Sequence, residues 1–183
     1  MQKVIISVIG QDRPGIIAGV THVLFDLDFN IENISQTILQ SQFSGIFIAS
    51  TAKDHTIAFL ETRLKQEIAP MKLDVHVKVL DRPQNYQSPN SEPFIITTKG
   101  PDRKGLVANI TAVMAHYRVN VTNLQAIFRG GDDPTDNIMI YEVDIPVQID
   151  HKELQNKLQQ KAIELGLDLS IIHKNIFEAI NRI

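Results

Sequence analysis

Asp12, Arg13, Gly15 and Asn30 return ninety residues later in the chain as Asp102, Arg103, Gly105 and Asn120. In each copy the Asp-Arg pair follows a short apolar run and precedes apolar residues at helical spacing, which sets it at a strand-to-helix turn. Those residue types in that place suit a small zwitterion. The unpaired amides of a helix start, with their partial positive charge, favour a carboxylate by up to about 1 kcal/mol in an exposed setting. Asp12 can face an ammonium, Asn30 both donates and accepts, and Gly15 leaves the first turn open to close approach. Plain structure uses the same residues: Asp12 as a helix cap and Asn30 as the turn before a strand. Both uses stand at this level.

The two sets belong to a longer repeat. Residues 10–18 recur as residues 100–108, and Thr21, Val23, Ile31 and Asn33 recur as Thr111, Val113, Val121 and Asn123. A duplicated unit in a chain of 183 residues makes two small domains. In the first, residues 4–9 read as a central strand and Pro14 as the first helical position. Ile16, Ile17, Val20, Val23, Leu24 and Leu27 then form one helix face. Strands on either side of a turn at 41–45 make a hairpin, Asp54 caps a second helix that Pro70 ends, and residues 73–79 alternate as a half-buried strand. The second copy repeats this order from Phe94, with Asp150 and Glu153 opening its second helix and Gly166 stopping it.

The fold class is therefore α+β: two ferredoxin-like βαββαβ units, each an antiparallel sheet with both helices on one face. The expected domains are residues 1–81 and 93–174, with a linker at 82–92 rich in Pro, Ser, Asn and Gln and a C-terminal appendage at 175–183. Ile5 and Ile9 lie on the opposite side of their strand from Val4, Ile6 and Val8. Apolar residues on both sides imply that the bare face or an edge is covered by the sister unit or by another chain, and a homodimer is expected.

Composition narrows the function classes. The chain has no cysteine and no tryptophan, so disulfides, thiolate metal sites and a cysteine nucleophile are excluded, and a cytoplasmic setting is expected. Its N-terminus enters a strand pattern directly, and no apolar run is long enough to span a bilayer. With 18 basic and 21 acidic residues interspersed, there is no basic stripe to support direct nucleic-acid binding. The six histidines do not pair at zinc-like spacing, and the acidic run at 130–137 lacks the alternating ligands of a calcium loop, so it reads as a hairpin tip. No metal and no cofactor is expected. Dinucleotide, P-loop and hydrolase-elbow spacings are missing. The same element order serves RNA-recognition modules, but residues 5–9 carry none of the aromatics those need. It also serves acylphosphatases, for which Arg13 and a nearby Asn are the right residue types for phosphate, without the usual glycine-rich cradle.

The motif Asp12-Arg13-Pro14-Gly15-Ile16-Ile17, with Phe29-Asn30-Ile31-Glu32-Asn33-Ile34 opening the second strand, resembles the signature of an ACT domain, a regulatory module that senses amino acids. Both halves match it, and the tandem arrangement resembles the glycine cleavage system transcriptional repressor family. The resemblance implies ligand contacts at Asp12, Arg13, Pro14, Gly15 and Asn30, and at Asp102, Arg103, Gly105 and Asn120, with Asn33 and Asn123 further along the strand. It also implies that a neighbouring unit completes each pocket. Lys104 replaces the proline in the second copy. The expected function is a non-enzymatic sensor of a small amino acid, glycine or serine, that controls glycine cleavage transcription through contact with a DNA-binding regulator. An ACT regulator acting in trans on a metabolic enzyme is the alternative, and an acylphosphatase-like enzyme the third.

Overall fold

The computed structural model describes residues 2–80, 90–128 and 137–176. The chain divides into a first unit, 1–84, and a second, 85–183. The first runs β1 (Gln2–Gln11), α1 (Ile16–Asp26), β2 (Asn30–Leu39), β3 (Gln42–Thr51), α2 (Ile57–Ile68), a short 3-10 turn (Ala69–Met71) and β4 (Asp74–Val79). The second runs β5 (Ser91–Gly100), α3 (Leu106–His116), β6 (Asn120–Phe128), β7 (Asn137–Pro146), α4 (His151–Leu165) and β8 (Asp168–His173). Each is a βαββαβ unit of the ferredoxin-like class. The strand orders are β2-β3-β1-β4 and β6-β7-β5-β8, and every neighbouring pair is antiparallel.

Alternation in β1 sends Val4, Ile6 and Val8 to the helix side, where they meet Ile16, Val20, Val23 and Leu24 of α1 and Leu60, Leu64 and Ile68 of α2. Leu106, Ile110 and Met114 of α3 and Leu154, Leu158 and Ala162 of α4 do the same in the second unit. Burying each such aliphatic side chain stabilises by about 1.5–3 kcal/mol. Of the α1 stripe, Ile17 and Leu27 are only partly buried, because they flank the central contact line. On the other side of the first sheet, Ile9 and Ile46 remain 49% and 44% exposed.

Three local expectations are corrected. Helix α1 starts at Ile16, with Pro14 in the preceding turn, because Gly15 has left-handed backbone (φ 99°) that no helix interior accepts. The cap of α2 is Thr56, whose hydroxyl accepts from Phe59 N, and not Asp54. Strand β5 begins at Ser91, earlier than Phe94, since Ser91, Glu92 and Pro93 pair with Pro146, Ile145 and Asp144. The expected cap at Asp150 is present, accepting from Lys152 N and Glu153 N, and Gly166 closes α4 with φ 67°. The linker through residue 89, the acidic run at 130–136 and the appendage from 177 lie outside the described residues.

Leu64 is fully buried in the first core. Leu64→Ala is expected to lower stability by about 2–5 kcal/mol, read as a shift of a urea unfolding midpoint by circular dichroism.

Candidate functional site

The turn from β1 to α1 is held at two points. Asp12 N donates to Ser41 O at 2.9 Å, tying the turn to the β2–β3 hairpin, and Gly15 makes the left-handed step into the helix. Gly15 has no side chain with which to cap, and Asp12 does not cap either, so the first-turn amides of α1 carry no side-chain acceptor. The same holds at Gly105 (φ 88°) before α3. Helices α2 and α4, at the other loops, are capped by Thr56 and Asp150. Among the described α-helices α1–α4, the two that follow the repeated motif are thus the ones whose positive ends have no side-chain cap.

Each open end faces a hollow. The first, about 500 Å³, is lined by Asp12, Arg13, Pro14, Gly15, Ile16, Ile17 and Ala18 together with Gln36 and Phe43 of the hairpin. Arg13 Nη2 donates to Gln11 Oε1 at 3.4 Å, while its Nε is shielded and has no acceptor among the described residues. The second, about 470 Å³, is lined by Asp102, Arg103, Gly105, Leu106, Val107 and Ala108 with Asn137 and Met139 of β7. Lys104 stands where Pro14 does, yet the glycine that follows takes the same left-handed step, so the proline is not what shapes this turn. A third hollow lies between α3 and α4, where Tyr117 Oη donates to Glu153 Oε1 at 2.8 Å, away from both loops.

The strand-opening asparagines are elsewhere. Strand β2 is separated from β1 by β3 and runs parallel to β1, so its start lies at the opposite end of the sheet from the loop. Asn30 pairs with Ser50, which pairs with Lys3. Lys3 is nine residues from Asp12, roughly 30 Å of strand. Asn33, level with Ile48 and Ile5, is also remote, and Asn120 and Asn123 repeat this at Asp144 and Glu142. A unit therefore does not bring Asp12 and Asn30 together, nor the Arg13–Asn30 pair that phosphate chemistry would use. A bulge at Glu32 and at Thr122 follows each first asparagine. Beside it, Glu32 pairs with Lys3, and Glu142 accepts from Asn123 Nδ2 at 3.0 Å and from Lys174 Nζ at 2.6 Å. Lys174 and Asn123 hold the Glu142 carboxyl below its ordinary value, as Lys3 does for Glu32.

The residues missed by the sequence reading are Gln36, Phe43, Asn137 and Met139, which reach the hollows from β2, β3 and β7. Only strand register places them there, and no spacing rule announces it. Among the described residues no group of three His, Asp or Glu side chains could hold a metal, and no helix is long and apolar enough to cross a membrane.

A family model described as "ACT domain" matches residues 2–78 and 92–171. The chain belongs to the ACT domain family. A UPF0237 protein of Methanocaldococcus jannaschii is 42% identical over 81 residues, which are 87% of its length and 43% of this chain. One from Methanopyrus kandleri is 35% identical over 79 residues, 88% of its length and 43% of this chain. Such relatives are thus about one unit long. A protein from Galdieria sulphuraria of unknown function has the same two-unit fold, with a TM-score of 0.78 at 22% identity over 94% of this chain and 98% of that one. A protein that carries the name of glycine cleavage system transcriptional repressor superposes with a TM-score of 0.69 at 18% identity, over 93% of this chain and 96% of that one. Both likenesses concern the fold.

Two measurements check this geometry. Gly15→Ala and Gly105→Ala force a Cβ into left-handed backbone and are each expected to cost about 1–2 kcal/mol in unfolding free energy. For Glu142, whose folded pKa is depressed, the pair with Lys174 contributes fully above about pH 5 and is lost as pH falls through that depressed folded value. Glu142→Gln is therefore expected to reduce thermal stability at pH 7, and its difference from the parent is expected to shrink as pH is lowered below the ordinary carboxylate range.

Proposed function

We propose that this ACT protein is a non-catalytic regulator whose β1–α1 and β5–α3 loops hold the carboxylate of a small amino acid, glycine or serine. The observation that carries the reading is the pair of uncapped helix starts, each opening on a hollow and each preceded by an Asp-Arg pair. Oriented amides with a nearby guanidinium favour a carboxylate, and such charge-assisted bonds are about twice as strong as neutral ones. Asp12 and Asp102 supply the opposite charge for an ammonium. Asn30, Asn33, Asn120 and Asn123 stand outside the loop site of their own unit and have no contact assigned to them in this reading.

Binding becomes regulation when the ligand has different affinities for two states of the protein. The proposed output is contact with a DNA-binding regulator of glycine catabolism, in the cytoplasm and from a homodimer. The tandem-motif resemblance supports that direction, and so does the name of the structural neighbour, which belongs to that neighbour. An ACT regulator acting in trans on an enzyme shares the same ligand chemistry and differs only in the partner.

Because the chain lacks tryptophan, calorimetry is the direct assay. Glycine or L-serine is expected to bind, and at a hundred times Kd to stabilise the fold by about 2.7 kcal/mol. Arg13→Ala together with Arg103→Ala is expected to weaken binding about tenfold. A full panel of amino acids without heat or thermal shift would remove the sensor reading. Capture of a DNA-binding regulator that changes with glycine separates the first output from control of an enzyme.

A further inference from the structure

The two hollows are equivalent in position but not in lining. Register sets Gly10 against Phe43 and Gly100 against Asn137, so Asn137 occupies the place of Phe43. By the same pairing Met139 stands where Gly45 does, Thr98 where Val8 does and Tyr141 where Phe47 does. Three apolar positions of the first unit are thus polar in the second. Phe43 lies over Gly45, where an added Cβ would come within 2.7 Å of its ring, and this closes the floor of the first hollow with hydrocarbon.

In the second unit the floor carries an unfilled hydrogen-bonding group. Asn137 is 3% exposed; its Nδ2 donates to Asp102 Oδ1 at 3.3 Å and, among the described residues, its Oδ1 has no partner. The amide orientation follows from chemistry, because a carboxylate only accepts and must face the NH2 end. A buried amide oxygen left without a donor is destabilising, and native proteins retain such groups where a ligand or water supplies the missing bond. Behind it, the Thr98 hydroxyl faces the Tyr141 phenol without a hydrogen bond of ordinary geometry, and that phenol donates to Met139 Sδ at 3.4 Å. Burial of this polar set in a core that is hydrocarbon in the sister copy has no counterpart in packing.

We propose, resting on the amino-acid reading above, that the second hollow is the tighter of the two sites and recognises the ligand's ammonium through Asn137 Oδ1, with the α3 amides on its carboxylate. Asp102, exposed at the rim and already bonded to Asn137, turns with the ammonium and shares its charge. Two acceptors side by side, one neutral and one anionic, fit a primary ammonium and reject a hydroxyl acid of the same size. The first hollow, with Phe43 in place of the amide, lacks that discrimination.

The test compares glycine with glycolate, which replaces the ammonium by a hydroxyl, on the full chain by calorimetry. The parent is expected to prefer glycine by about tenfold or more. Asn137→Leu, close in volume, is expected to erase that preference while the thermal midpoint without ligand holds or rises, because an unfilled polar group has been removed. Binding of neither compound, nor of any other amino acid, to the parent overturns the sensor reading and this inference with it. Undiminished preference for glycine in Asn137→Leu overturns this inference alone, the buried amide then being filled by water only. Should the variant fail to fold, amide NMR of the unmodified chain decides. With glycine, the Asn137 side-chain signals and the amides of Leu106–Ala108 are expected to shift at lower concentration than those of Ile16–Ala18, and the reverse order overturns the proposal.

Discussion

At Gly15 and Gly105 the backbone passes through left-handed geometry, φ 99° and 88°, between the end of a central strand and the start of a helix. The site depends on that step in three ways. It ends the strand turn without a side chain, so nothing local caps the helix that follows. It brings the first-turn residues Ile16–Ala18 and Leu106–Ala108 to the lining of the hollows. It also spares a Cβ that would come within 3.3 Å of Met71 Cε at Gly15 and of Asn109 Nδ2 at Gly105. Thr56 and Asp150 cap their helices from extended backbone, φ −70° and −75°, and the left-handed geometry at Gly15 and Gly105 is one from which such a side-chain cap is not made.

Duplication explains why two such turns exist, and divergence of their floors explains why they need not do the same work. The backbone of both loops is alike even though Pro14 and Lys104 differ, so the sequence difference most visible along the motif has little structural effect. The larger difference is distributed over β5 and β7, at Thr98, Asn137 and Tyr141, where hydrocarbon has been exchanged for polar groups inside a closed core. Burial pushes the Tyr141 phenol above its ordinary pKa, consistent with a low-dielectric surrounding in which each unfilled hydrogen bond weighs more.

Much of the fold was legible in the chain. The repeat gave the number of units, helical spacing gave the buried faces of α1 and α3, and the Asp150–Gly166 pair gave both ends of α4. The errors are local contests between signals. Pro14 has the backbone of a helix start, but the glycine after it sets where the helix begins. Asp54 and Thr56 are both good caps, and the choice rests on which one reaches Phe59 N. The larger miss, the distance between Asp12 and Asn30, arises because periodicity describes elements and not their order in a sheet. Residues adjacent across a helix in sequence look close, whereas the inserted strand β3 and the parallel run of β1 and β2 set them at opposite ends. Asn137 was hidden in a polar, turn-like run, and only its register opposite Gly100 reveals that it enters the core.

The proposed sensing requires that the loop be mechanically connected to something else, and each copy ties its loop to a hairpin by a different hydrogen bond. In the first, Asp12 N is bonded to Ser41 O at the tip of the β2–β3 hairpin; in the second, Asp102 Oδ1 is bonded to Asn137 at the start of β7. Each loop is therefore fixed to the hairpin whose outer strand, β2 or β6, is the edge of its sheet. An edge strand has unpaired backbone groups on one side within its unit and is the part of a sheet best suited to meet another strand. On the proposed reading, a ligand that draws on the Asp102 carboxylate acts on the same group that holds its hairpin, whereas in the first copy the hairpin is held by the Asp12 backbone amide and the ligand would meet the side chain. In the second copy the proposed ammonium and the hairpin would share a single carboxylate, Asp102, which makes the polar floor the more direct of the two proposed couplings.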